Sequence, residues 1–254
     1  MTLSVELGWI VAVTLVATRL GAILVLAPFF GSGSVPANFR VFFVIGLSAL
    51  IVSNLHLAPS SIPASLPAFT LAALSEFALG AMLAFGIFAA FAVFLLAGRI
   101  MDVQLGFGVA TLIDPTNRTQ SPLLGTFLNL VAVALFFAVD GHHMLIRGLA
   151  FSLERVPPGV FVTDVDPGVV VAQFGGMFVY AAALSAPVIF TILLVDVVLA
   201  VVARTAPQVN IFVVSFPLKI FVGLLVLAIS LRYMAPVVAR IFESLFDYWQ
   251  QLLT

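Results

Sequence analysis

The chain has 254 residues, 63% of them hydrophobic and only 8% charged, with a mean hydropathy of +1.27 and a formal net charge of −1. Soluble domains carry about 25% charged residues, so there is too little polar surface here to cover a water-soluble globule. The balanced charge, with no lysine- or arginine-rich run, gives no sign of a nucleic-acid partner, and the absence of cysteine excludes disulfides, thiolate metal sites and cysteine nucleophiles.

The class expected is therefore an all-α polytopic membrane protein, a single integral membrane domain over 1–254 in contact with lipid. A hydrocarbon core about 30 Å thick takes about 20 apolar residues of helix to cross. Six segments qualify, at 7–30, 41–58, 67–98, 122–140, 169–203 and 212–231. The first is preceded by Glu6 where a secretory signal would be basic, and it is too long for a signal core, so it reads as a retained helix. Proline-containing punctuation separates the runs: GSGSVPAN at 31–38, LAPSSIPASLP at 57–67, a polar stretch at 99–121, PPGVFVTDVDPG at 157–168 and ARTAPQVN at 203–210. Such loops belong in water, in a cavity or against protein.

Two features strain a plain six-span picture. Segments 67–98 and 169–203 would run roughly 50 Å as straight helices at about 1.5 Å per residue, so they tilt, bend or project beyond the bilayer. Gly80, Gly86 and Pro187 are the candidate bend points. The arginines also divide evenly between alternate loops, Arg40, Arg99, Arg118 and Arg204 against Arg147, Arg155, Arg232 and Arg240, while Lys219 lies inside a span. The positive-inside rule needs an asymmetry and finds none. After Pro236, apolar residues from Val237 to Trp249 recur at helical spacing opposite Arg240, Glu243 and Asp247, which predicts an amphipathic helix over 236–253, suited to a partner or to a membrane surface.

Candidate chemistry is sparse. DGHH at 140–143 is the nearest approach to a metal motif, but neighbouring histidines do not share a straight helix face. The stretch reads better as a helix ending at Asp140 with histidines at the water interface, and no metal or other cofactor is expected. Arg19, Glu76 and Asp196 lie well inside apolar segments, where charge is costly. They form either ion pairs that hold helices in register or parts of a proton relay. Neither paired carboxylates, nor a GxSxG elbow, nor a phosphate loop is present, so no enzyme is expected. Residues 99–121, RIMDVQLGFGVATLIDPTNRTQS, are long for a turn between membrane helices, and Ser121 with Pro122 forms a good N-cap and first-turn pair for the next helix. This stretch is either a hydrated surface loop or a re-entrant loop between the third and fourth helices.

RLGAILVLAPFFGSGSVPANFR (19–40), GFGVATLIDPTNRTQSPLLGTFLNL (106–130) with VDGHHMLI (139–146), and the stretch from Ala186 to Leu224 containing ARTAPQVN resemble the FliR family. These are flagellar biosynthetic proteins of the type III export gate, with SctT-type counterparts in injectisomes. The resemblance implies a bacterial inner-membrane subunit at the flagellar basal body. It would assemble with FliP and FliQ, beside FlhB and FlhA, into a channel for unfolded exported flagellar proteins. It also implies helical hairpins sitting largely above the bilayer plane, which would account for the overlong segments and the missing charge asymmetry. The loop equivalent to 106–122 would help plug the closed channel, with Gly106, Phe107, Gly108, Ile113, Asp114, Pro115, Asn117, Gln120, Ser121 and Pro122 as its residues. Arg204, Pro207 and Asn210 would serve a structural or partner-contact role at a helix junction. The alternatives are an injectisome subunit or a secondary transporter of small solutes; the latter would need discontinuous helices around a midplane site.

Overall fold

The computed structural model describes residues 7–26, 36–55, 63, 65–107, 122–161, 165–206, 208 and 210–254. Among them every regular element is a helix: α1 (Leu7–Leu26), α2 (Ala37–Asn54), α3 (Leu66–Leu105), α4 (Leu123–Ala138), α5 (Gly141–Arg155), α6 (Pro167–Thr205), α7 (Ile211–Leu231) and α8 (Ala235–Leu253). Hydrocarbon offers no partner to a backbone N–H or C=O, so a chain this apolar satisfies its backbone within helices. Five of them, α1, α2, α3, α6 and α7, are long and apolar enough to cross a membrane. The α4–α5 pair, bent by 72° at the residues between them, makes a sixth if taken together. The all-α polytopic membrane fold expected from composition is the one observed.

The boundaries differ from the apolar pattern in three places. The polar stretch was expected from Arg99, yet α3 stays helical through Leu105, because the carboxylate of Asp102 finds partners outside its own helix. Val139 and Asp140 form a turn rather than the end of a single helix. Gly141 then opens α5, which no apolar run announced, since His142, His143, Arg147, Glu154 and Arg155 dilute it. Gly80 and Gly86, candidate bend points, lie within the continuous α3, where both stand in close packing contacts.

The chain forms two compact units. The first combines residues 1–89, 136–173 and 244–254. Here α1 packs on α2, and a Cβ at Gly80 would meet the Arg19 carbonyl oxygen and the Ala22 methyl. Small residues of this kind let membrane helices approach to backbone distance. The end of α8 docks through aromatic side chains. The Tyr248 hydroxyl donates to the Met82 carbonyl at 2.9 Å and the Trp249 indole N–H donates to that of Leu83 at 2.9 Å. The absent side chains of Gly86 and Gly148 leave room for the two rings. Burial pushes the Tyr248 phenol up to about 12, so it remains a donor. The apolar face predicted at 236–253 is thus largely spent inside the molecule, with Ile241, Phe242, Leu245, Tyr248, Trp249 and Leu252 all buried.

The second unit comprises residues 90–135 and 174–243. α3 and α4 meet at Gly98 and Gly125, where a Cβ on Gly98 would fall on the backbone of the other helix. The Leu105 side chain fills the space left open at Gly223. Phe242 packs between Phe91 and Phe94, with ring centroids 5.9 and 6.1 Å away.

Candidate functional site

Among the described residues, two ion pairs lie in the apolar helices. In the first unit Arg19 of α1 donates from Nε to Glu76 Oε2 of α3 at 2.6 Å and from Nη2 to Glu76 Oε1 at 3.1 Å. Its Nη1 donates to the carbonyl and hydroxyl of Ser152, at 3.0 and 3.3 Å, and Nη2 donates again to the Val156 carbonyl at 2.9 Å. A guanidinium has five N–H donors, and all five are engaged. Glu76 gains a further donor from the backbone N–H of Gly159 at 2.9 Å. Gly159, at φ 86, takes the left-handed position in the PPGV turn closed by Val160 N–H donating to the Pro157 carbonyl. The two side chains are 0% and 1% exposed.

The second unit holds a different pair. Lys219 of α7 lies 2.5 Å from Asp196 of α6, and the two side chains are 21% and 39% exposed. Around them on the same helices Leu193, Leu194, Val197, Leu218 and Phe221 are exposed. The sequence places Arg19, Glu76, Asp196 and Lys219 inside apolar segments without revealing which of them pair.

Two anchors frame the loop between α3 and α4. At its first root Gly106 takes φ 86, its N–H donates to the Val103 carbonyl at 3.2 Å, and the Phe107 N–H donates to that of Asp102 at 3.0 Å. These paired bonds with a left-handed glycine are the Schellman motif that ends helices. At the second root the buried Asp102 carboxylate accepts from the backbone N–H of Leu124 at 3.1 Å and, more weakly, of Gly125 at 3.5 Å. It caps α4 from outside that helix, a role usually taken by a residue of the local chain. Asp102 was missed because no local motif connects it to Leu124; an acid near the end of an apolar run was the only signal. Pro122 directly precedes α4, and its carbonyl accepts from Thr126 at 2.8 Å. Gly108, Ile113, Asp114, Pro115, Asn117, Gln120 and Ser121 lie outside the described residues.

The family of bacterial export proteins, family 1, matches residues 10–245. The chain is 33% identical to the flagellar biosynthetic protein FliR of Bacillus subtilis (strain 168), over 95% of this chain and 94% of that protein. It is 30% identical to that of Pectobacterium carotovorum and 28% to that of Escherichia coli (strain K12), each covering 93% of this chain and 90% of the relative. The chain belongs to the FliR family. As a FliR-family chain it is a membrane-embedded component of the flagellar export apparatus and not an enzyme. Of the junction motif, Arg204 is exposed in the last turn of α6, where a cation complements the helix dipole. Asn210 precedes α7, its carbonyl accepting from Val213 at 3.1 Å. Pro207 lies outside the described residues.

Proposed function

We propose that this FliR-family chain is a wall subunit of the type III protein-export gate, in the bacterial inner membrane at the flagellar basal body. There it assembles with FliP and FliQ, adjoins FlhB and FlhA, and helps form the channel through which unfolded flagellar subunits leave. The observation that carries this reading is the unfinished burial of α6 and α7. Only 17% of the most apolar window of each is buried within the chain, and each carries one half of a part-exposed ion pair. A lipid-facing helix tolerates the first feature but not the second, since charge in hydrocarbon is costly. Neighbouring protein or a water-lined passage accommodates both.

Segment 106–122 acts as a plug in this proposal. In support of it, both roots are tied to the last turns of α3, one through the Gly106 cap and the other through Asp102. The helices that carry the segment are therefore held in place at both of its ends. Arg19 and Glu76 serve structure rather than proton relay, because every guanidinium donor is occupied. Affinity purification of the chain from native membrane is expected to bring FliP- and FliQ-like proteins with it; recovery as a lone chain would refute the wall-subunit reading. Deleting 110–120 is expected to leave assembly intact and raise small-ion permeability, and a permeability equal to the parent's would refute the plug.

A further inference from the structure

We infer that Asp140, His142 and His143 form a binding site for one divalent transition-metal ion of the zinc class. The inference does not rest on the export reading. His142 and His143 both lie in the first turn of α5, and the break just before that helix is what sets Asp140 beside them. Asp140 adopts φ 58, the left-handed conformation that aspartate tolerates better than most residues. Its carbonyl then accepts from the N–H groups of His143 and Met144 at 3.0 and 3.2 Å and starts α5. The result is a tight turn in which one potential ligand atom from each of the three side chains lies within 4.8 Å of the other two.

The imidazoles of His142 and His143 lie with centroids 4.1 Å apart and planes tilted by 38°, and His143 Nδ1 is 3.3 Å from Asp140 Oδ1. A four-coordinate ion bonded at about 2.0–2.1 Å holds its ligand atoms about 3.3 Å apart, inside the 4.8 Å that bounds the three here, so rotation of the side chains, without movement of the helices, closes the site. A second observation points the same way. His142 Nδ1 is buried and has no hydrogen-bond partner, a cost that native proteins seldom leave standing. Two imidazole nitrogens with one carboxylate oxygen suit zinc, copper or nickel rather than calcium or magnesium, and the carboxylate offsets the unfavourable N-terminal dipole of α5. The fourth position falls to water, since Asp140 and His143 are exposed.

The consequence for the fold is specific to α5. Its far end already receives Arg19 at Ser152 and Val156, so a bound ion would fix the near end as well.

The test uses the full-length chain in detergent, carrying a histidine-free affinity tag and stripped with EDTA. Calorimetric titration with Zn2+ is expected to give one ion per chain. Asp140→Asn, His142→Gln and His143→Gln should each weaken binding by about tenfold or more, while His56→Gln leaves it unchanged. Zn2+ should also raise the thermal midpoint of the parent but not that of His143→Gln. Single variants that bind as tightly as the parent, or a parent that takes up no more Zn2+ than the double-histidine variant, would overturn the site. Co2+ loaded into the unmutated chain supplies a readout independent of any variant. Intense visible bands of a four-coordinate ion are expected, and the weak spectrum of hydrated Co2+ would overturn the proposal.

Discussion

The two ion pairs set in apolar helices are opposites. Arg19 and Glu76 are sealed, with side chains 0% and 1% exposed and every guanidinium donor engaged. Lys219 and Asp196 meet at 2.5 Å but stay part-exposed. The helices around them differ in the same sense. α3 and α6 are nearly equal in length, at 40 and 39 residues, yet 61% of the most apolar window of α3 is buried within the chain against 17% for α6. A sealed pair is complete, and its energy belongs to the fold of this chain. An open pair on an apolar surface is incomplete, and its energy depends on what covers it.

The contrast breaks most sharply at the sealed pair. Glu76→Gln leaves a buried guanidinium without its counter-charge, and removing one partner of a buried pair costs about 3–5 kcal/mol. Denaturation of the detergent-solubilised chain should show that loss. The double change Arg19→Met with Glu76→Leu should recover most of it, since an apolar replacement removes both charges together. Within an assembled complex, transport per complex should fall less than yield; normal yield with lost export would instead return the relay reading.

Gly98→Val comes next. Its side chain would collide with the Gly125 backbone, and overpacking of this kind costs about 1–3 kcal/mol, again read by denaturation. Asp102→Ala strips α4 of its borrowed cap, worth about 1 kcal/mol. Since it also frees the second root of the proposed plug, raised ion leakage at nearly normal complex yield is expected in vesicle permeability assays. The smallest effect on the isolated chain is predicted for Asp196→Asn, below about 1 kcal/mol for an exposed pair. Its signature should appear in the yield of complex with partner subunits, and an unchanged yield would mean that lipid or water, not protein, covers the pair.

Apolar length made the fold largely readable before any coordinates, and the cores of all six predicted runs are helical. What escaped was whatever depends on residues far apart in sequence. Arg19 and Glu76 are 57 residues apart, and the backbone partners at Ser152 and Val156 lie on and just past a helix with no membrane-length apolar run. Asp140 looked like a helix end because an Asp-Gly pair normally is one; only its left-handed backbone reveals that a second helix follows. In the candidate plug, composition marked an unusual loop, while the devices that pin it, a C-terminal cap at Gly106 and a carboxylate borrowed from α3, depend on geometry that composition does not encode.

The aromatic docking of α8 carries a consequence for biosynthesis. Trp249 and Tyr248 donate to carbonyls 166 residues earlier in the chain, and the first unit is assembled from early, middle and late stretches of sequence. The hydrophobic slots beside Gly86 and Gly148 therefore stand open until α8 has been synthesised. A ribosome-stalled nascent chain ending before Ser244 should present that bare surface to chaperones and proteases, and its vulnerability should vanish once the final helical turns emerge.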